Sequence, residues 1–272
     1  MKLTQENYYN HDTNWKYMSV SLFKDFLNCE AQALAKLKEE WKPVSDPTAL
    51  LLGNYVHSYF ESKEAHESFL EHNKKSLYKY GNPEKGIKKD FVKGDEMIKV
   101  LDEDEAFKNI YMPGKKEVIV SENLFGHKWK GKVDSLMLDD GYFCDIKTNQ
   151  DLHKKHWSED LNRYTNFISA YGYYMQMAVY KELIKQTFNV DCQPFIFGVS
   201  KQIPPDHEAY SFNSPDAQYY MNESLEIIKK NQDHIFEVMN GETEPKRCGV
   251  CEYCRRTKKI TAFIDANDIE IY

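Results

Sequence analysis

Apolar positions recur at helical spacing through the first part of the chain and at strand spacing in its middle. From Ser19 to Glu40 they fall at Leu22, Phe23, Phe26, Leu27, Leu34 and Leu37, which predicts a helix with Ser19 or Ser21 as its cap. Pro43 and Pro47 interrupt the pattern, and Asp46-Pro47 marks the start of a second helix over about 48–62. Residues 63–111 stay helical in character but polar, with a loop at Gly81-Asn82-Pro83. The period then shortens. Segments 118–120, 129–138 and 142–146 carry β-branched or alternating apolar residues, punctuated by Gly126, Gly131 and an Asp139-Asp140-Gly141 hairpin turn. Beyond them a long helix is predicted over 164–187. Strands follow at 194–201 and 209–212, on either side of Pro204-Pro205, and then a polar helix over 215–239. This order predicts an α/β (α+β) fold, a mixed central sheet flanked by helices with an N-terminal helical elaboration. We read residues 1–272 as a single domain: a mostly helical part (1–111), an α/β core (112–240) and a cysteine-rich segment (241–272) that packs back on the first helix.

Composition narrows the class. The chain has 272 residues, 41% hydrophobic and 29% charged, with 19 Tyr and 15 Phe. That suits an ordered core and equally a surface that stacks bases. No apolar run approaches the ~20 residues of a membrane helix. Met1 to Asn10 is polar and lacks the apolar stretch of a secretory signal, so the expectation is a cytoplasmic protein with no membrane partner. A formal charge of −7 argues against a protein that coats nucleic acid, but not against an enzyme that grips DNA in one groove. Six cysteines without an export signal read as thiols or metal ligands.

Candidate chemistry lies in Gly131-Lys132-Val133-Asp134 and, past the hairpin, Asp145-Ile146-Lys147-Thr148. A tight turn brings Asp134 and Asp145 together at one end of the sheet. Two carboxylates there can share Mg²⁺ (or Mn²⁺), a cation that prefers oxygen ligands. Lys147, two residues beyond Asp145, projects from the same face of its strand. It is placed to orient or deprotonate an attacking water and to counter charge on a phosphate.

Asp-x-Lys alone arises often by chance; its surroundings carry the signal. These residues resemble the motif of PD-(D/E)XK nucleases, in particular the RecB-like branch, where Gly-x-x-Asp precedes Asp-x-Lys-Thr. The resemblance implies a restriction-endonuclease-like core with Asp134, Asp145 and Lys147 as catalytic residues. It further implies that Ile146, at the variable middle position, offers its backbone carbonyl to the metal. Gly53-Asn54-Tyr55-Val56-His57 resembles that branch's Gly-x-x-x-His element, whose histidine is a further metal ligand. Gln176 and Tyr180 match its Gln-x-x-x-Tyr pattern; at i and i+4 they share a helix face and, by the resemblance, contact DNA or order the catalytic groups.

Cys248, Cys251 and Cys254 form a Cys-x-x-Cys-x-x-Cys triplet that offers three thiolates to one site. The segment from Ser19 to Cys29 resembles the Ser-x-Ser…Cys opening of iron–sulfur nucleases such as AddB and the CRISPR-associated RecB-like enzymes. That resemblance makes Cys29 the fourth ligand of a [4Fe–4S] cluster. Two departures, Glu30 where proline is usual and an early third cysteine, leave Zn²⁺ open. Cys144 and Cys192 sit in apolar strand contexts and read as buried thiols.

The resemblance spans Ser19 to Cys254 and points to phage-type recombination exonucleases of the RecE and lambda kind. It implies linear duplex DNA as substrate, a single-strand annealing protein as partner and a role in recombination or repair; a homo-oligomer stays open. Lysines 74, 75, 79, 85, 88, 89 and 93 are a candidate backbone-binding surface. Two other readings share the motifs: a single-strand or flap nuclease of the CRISPR-adaptation type, and a non-catalytic, metal-stapled DNA-binding module.

Overall fold

The computed structural model describes residues 2–44, 47–158 and 162–269, so Asp46 of the expected helix start lies outside the described residues. In chain order these form α1 (His11–Lys16), α2 (Val20–Asn28), α3 (Glu30–Leu37), α4 (Thr48–Glu61), α5 (Lys63–His72) and α6 (Lys74–Leu77). Next come α7 (Lys89–Glu103), α8 (Glu105–Ile110), β1 (Lys115–Leu124), β2 (His127–Met137) and β3 (Tyr142–Asn149). The remainder is β4 (His156–Ser158), β5 (Arg163–Thr165), α9 (Phe167–Ala170), α10 (Tyr173–Phe188), β6 (Gln193–Ser200), β7 (His207–Ser211), α11 (Pro215–Asn240) and α12 (Glu252–Arg256). The chain divides into two compact units. One comprises residues 1–20 and 45–230, the other 21–44 and 231–272.

The first unit holds a five-stranded mixed sheet in the order β1-β2-β3-β6-β7. β3 and β6 run parallel; every other neighbour is antiparallel. β3 is central, and Phe143, Cys144, Asp145 and Ile146 are buried in succession, as in a strand covered on both faces. The Asp-Gly hairpin forms as expected: Gly141 has φ +69°, a left-handed conformation cheap only without a Cβ. Both ladders of β2 skip the same place. On one side pairing passes from Lys116↔Ser135 to Val118↔Val133, leaving Glu117 opposite Asp134 unpaired. On the other it stops at Ser135↔Cys144. Asp134 therefore sits where the strands part.

The helical elaboration covers part of this sheet. Leu52, Val56 and Phe60 of α4, with Phe91, Met97, Phe107 and Tyr111, pack on Cys144, Ile146, Phe197 and Val199. Cys144 and Cys192 are fully buried, and burial pushes the Cys144 thiol up to about 12. Among the described residues no helix is long and apolar enough to cross a membrane.

Two expected helices are divided. The stretch 19–40 breaks at Cys29, which is extended (φ −166°, ψ 105°) and precedes the first turn of α3. The stretch 164–187 starts as a strand instead: residues 163–165 pair with 156–158, and α10 begins only at Tyr173, after left-handed Gly172. Asn166 caps the short α9 between them, its side chain accepting from the Ser169 N–H at 3.1 Å.

In the second unit, α3 and α12 come together. Glu30 accepts a hydrogen bond from the Lys246 backbone N–H (2.7 Å) and faces His234 Nε2 at 3.0 Å. Trp41 packs edge to face on Tyr253 with centroids 5.8 Å apart. These contacts join residues 30–41 to residues 234–253 within this unit.

Candidate active site

Asp134 closes the gap in the ladder with its side chain. Its Oδ2 accepts the Ile146 backbone N–H at 2.9 Å, replacing the carbonyl that a continuing strand would supply. The same oxygen lies 3.2 Å from His57 Nδ1, which α4 delivers from its third turn. Asp145 and Lys147 alternate on β3 and so share a face; their side chains form an ion pair. Gln176 Nε2 donates to Asp145 Oδ1 at 2.9 Å from the first turn of α10. All six of the residues just named belong to the first unit.

Two glycines explain the spacing of the motifs. A Cβ on Gly131 would lie 2.7 Å from Tyr180 Cε1, so the glycine of Gly-x-x-Asp makes room for the tyrosine of Gln-x-x-x-Tyr. A Cβ on Gly53 would press on Thr148 Oγ1 at 3.3 Å, which links the Gly-x-x-x-His helix to the Asp-x-Lys-Thr strand. Tyr180 packs beside Phe143 (6.4 Å between centroids) and serves the positioning of β2, whereas Gln176 reaches the carboxylate directly.

The electrostatics divide the two aspartates. Burial works against the Asp134 carboxylate, but His57, Lys147 and the Ile146 N–H outweigh it and hold its pKa below the ordinary value. Burial and the neighbouring Asp134 charge raise Asp145 to about 6 despite Lys147. Burial opposes the charged forms of Lys147 and His57 too, yet Asp145 and Asp134 respectively pull both pKa values up. Asp134 thus faces His57 and Asp145 faces Lys147.

A divalent cation fits this donor set. Asp145 Oδ2 is buried and meets the Lys147 ammonium, while Oδ1 accepts from Gln176, so the carboxylate is held from both sides. Two carboxylates and an imidazole neighbour one another here, Asp134 Oδ2 lying 3.2 Å from His57 Nδ1, and oxygen donors predominate, as Mg²⁺ or Mn²⁺ prefers.

Two neighbours escaped the sequence. Tyr173 lies with its ring 4.9 Å from Lys147 Nζ; within an aromatic-rich helix it reads as core, and nothing in its spacing sets it apart. Glu117 is ion-paired with Lys132 and held at about 7, by burial and then by the Asp134 charge. Its signal is conformational (φ +55°) and invisible in the residue pattern. Of the candidate lysine surface, Lys74 is paired with Glu71, and the Lys88 ammonium donates to the Lys75 carbonyl at 3.1 Å. Lys75, Lys79, Lys85 and Lys89 remain exposed.

The second unit carries its own cluster. The sulfurs of Cys29, Cys248, Cys251 and Cys254 lie within 4.8 Å of one another, and Cys29 Sγ is 3.6 Å from Cys254 Sγ. Backbone N–H groups of Cys251 and Cys254 point at the sulfurs of Cys248 and Cys251, at 3.3 and 3.4 Å. Burial raises the Cys248 thiol, but the N–H groups of Cys251 and Val250 win and bring it to about 7. All six cysteines are free thiols. The extended backbone that breaks the first helix is what turns Cys29 toward the triplet.

A mixed sheet with His57, two aspartates and a lysine converging where β2 and β3 part defines a PD-(D/E)XK-type domain. The chain belongs to the family described as PDDEXK-like domain of unknown function (DUF3799), whose model matches residues 19–257. It is similar to a crystal structure from Eubacterium rectale described as "Putative exonuclease", with 35% identity, a TM-score of 0.86, and coverage of 97% of this chain and 96% of that one. A second solved structure, SSO0001, aligns with a TM-score of 0.29 at 14% identity over 82% of this chain and 92% of its own, too loosely to bear on function. No curated protein matches the chain. Family and neighbour together support a nuclease.

Proposed function

We propose that the protein is a metal-dependent deoxyribonuclease that hydrolyses phosphodiester bonds from the ends of linear duplex DNA. The observation that carries this reading is the convergence of His57, Asp134, Asp145 and Lys147, with both aspartates buried in the sheet. His57, Asp134, Asp145 and the Ile146 carbonyl would hold Mg²⁺ or Mn²⁺. A cation there supplies Lewis acidity toward water and phosphate.

The chain's own residues do the rest. Lys147, whose proton Asp145 holds in place, orients the attacking water and counters the charge that builds on the phosphate. As the water oxygen bonds to phosphorus it gives its proton to solvent, the P–O ester bond breaks, and the departing alkoxide takes a proton from solvent. Gln176 fixes the rotamer of Asp145, and Tyr180 against Gly131 fixes the strand that bears Asp134. The reading extends to phage-type recombination or repair, in which a single-strand annealing protein takes the strand left behind. It is supported by the full motif set and by the structural neighbour's description as an exonuclease.

The four cysteines would hold a structural metal. The sequence resemblance favours [4Fe–4S], whereas the spacing favours a single ion. Zn–S bonds of about 2.3 Å in a tetrahedron put the sulfurs roughly 3.8 Å apart, near the 3.6 Å between Cys29 and Cys254 and inside the 4.8 Å that bounds the four. A four-iron cube needs wider corners. Zinc is therefore the second reading for this site.

The substrate reading is tested by incubating the protein and Mg²⁺ with linear and covalently closed circular duplex of one sequence. The linear form should be digested and the circle should survive; nicking of the circle at a comparable rate would replace the exonuclease with an endonuclease.

A further inference from the structure

Between β3 and α10 the chain forms a ribbon that no step above uses. In it β4 and β5 pair Trp157 with Tyr164 and Ser158 with Arg163. The rings of Trp157 and Tyr164, cross-strand partners on one face, meet edge to face at 5.2 Å and stay 48% and 64% exposed. The ribbon is anchored at both strands. On the opposite face His156 packs on Tyr171 (5.2 Å), which neighbours Tyr173 (6.0 Å), the ring beside the Lys147 ammonium. Arg163 Nη2 donates to the Tyr220 hydroxyl at 2.9 Å. Exposed Lys154 and Lys155 precede β4 and line an open groove with Tyr164 and Glu208. Between β3 and α10 the cations Lys154, Lys155 and Arg163 balance the acids Asp151, Glu159 and Asp160, so the stretch carries no net formal charge.

Resting on the nuclease reading above, we propose that Trp157 and Tyr164 form a stacking platform for unpaired bases, which holds a frayed or single-stranded DNA end beside the catalytic residues. A ring face stacks on any base without reading sequence, while nearby cations follow the phosphates. Bases within a duplex present no free face, so a solvent-exposed aromatic pair discriminates the opened end from intact duplex. Ring contacts from His156 through Tyr171 and Tyr173 tie the ribbon's opposite face to Lys147, so the strand that bears Trp157 is fixed to the catalytic face. The competing role for a cross-strand pair, stabilising the ribbon itself, acts on melting and not on ligand affinity.

Binding is measured in the Lys147→Ala background with a labelled oligo(dT) strand and a blunt duplex. Trp157→Ala/Tyr164→Ala should lose about tenfold or more in affinity for the single strand. It should change duplex affinity little and melt at the parent temperature. Trp157→Phe/Tyr164→Phe, which keeps two rings, should retain single-strand affinity. Quenching of tryptophan fluorescence by oligo(dT) should fall in Trp157→Phe, since Trp41 and Trp129 are buried and Trp15 is half-buried. Parent affinity for the single strand in the folded double-alanine variant would overturn the platform, as would a drop in melting temperature with affinity intact. Single-strand binding lost on Trp157→Ala/Tyr164→Ala, in a wild type that digests no DNA with Mg²⁺ or Mn²⁺, would uphold the platform while removing the nuclease.

Discussion

A carboxylate set between Cys144 and Ile146 on a buried strand needs a reason to be there, and Asp145 is 2% exposed. Its one directed partner is Gln176, which leaves the second oxygen to Lys147 and to a cation. Removing a residue that orients a metal ligand typically costs 10–100-fold in metal affinity or activity. Gln176→Ala should fall by about that much in Mn²⁺ affinity with its fold intact; wild-type affinity by calorimetry would show that Gln176 is only packing. The raised pKa of Asp145 sets a pH dependence. Proton and cation compete for one carboxylate, so affinity should hold near neutrality and decline as pH falls through about 6 and Asp145 takes up its proton. His57, also raised, pushes in the same direction. Mn²⁺ affinity unchanged from neutral pH to about pH 5 would contradict this ligand set.

At the scale of elements, the catalytic hairpin is built by a contact between motifs distant in sequence. Gly131→Ala puts a methyl 2.7 Å from the Tyr180 ring and should cost about 1–3 kcal/mol, as overpacking does. Thermal unfolding reads this directly, and shortening Tyr180 in the same chain should recover part of it; a variant that melts like the wild type would dismiss the contact. The hairpin, the alternation of Asp145 and Lys147, and the one-turn spacing of Gly53 and His57 were legible in the sequence because each is a local rule of period or turn chemistry. The break at Cys29 was not, since its apolar neighbours keep helical spacing through the kink. Nor was the ribbon before α10: three-residue strands of mixed character carry no period, and the switch rests on left-handed Gly172. Gln176 could be named from its motif, but only the packed structure shows that it reaches Asp145. Glu117 could not be, because what singles it out is a gap in the ladder.

For the molecule as a whole, the two units give separate handles on stability and activity. Cys29 and Cys248 are 219 residues apart, and ligating one metal from both ends restricts the unfolded chain as any long cross-link does. Cys29→Ser should lower metal content and melting temperature together, whereas Cys144→Ser and Cys192→Ser should leave the metal in place. Elemental analysis decides its identity: about one zinc per chain fits the sulfur spacing, and iron with sulfide would restore the cluster. Chelation should speed hydrogen exchange in residues 21–44 and 231–269 while β3 keeps its protection; equal loss across both would show that the metal supports the entire chain. The central claim is that four residues of the first unit make a metal-dependent nuclease, and end-labelled linear duplex incubated with wild type, Asp145→Asn and Lys147→Ala tests it. Wild type should release nucleotides with Mg²⁺ and none with EDTA, and both folded variants should be slower by on the order of a hundredfold or more. Cleavage that survives EDTA, or full activity in Lys147→Ala, would contradict it.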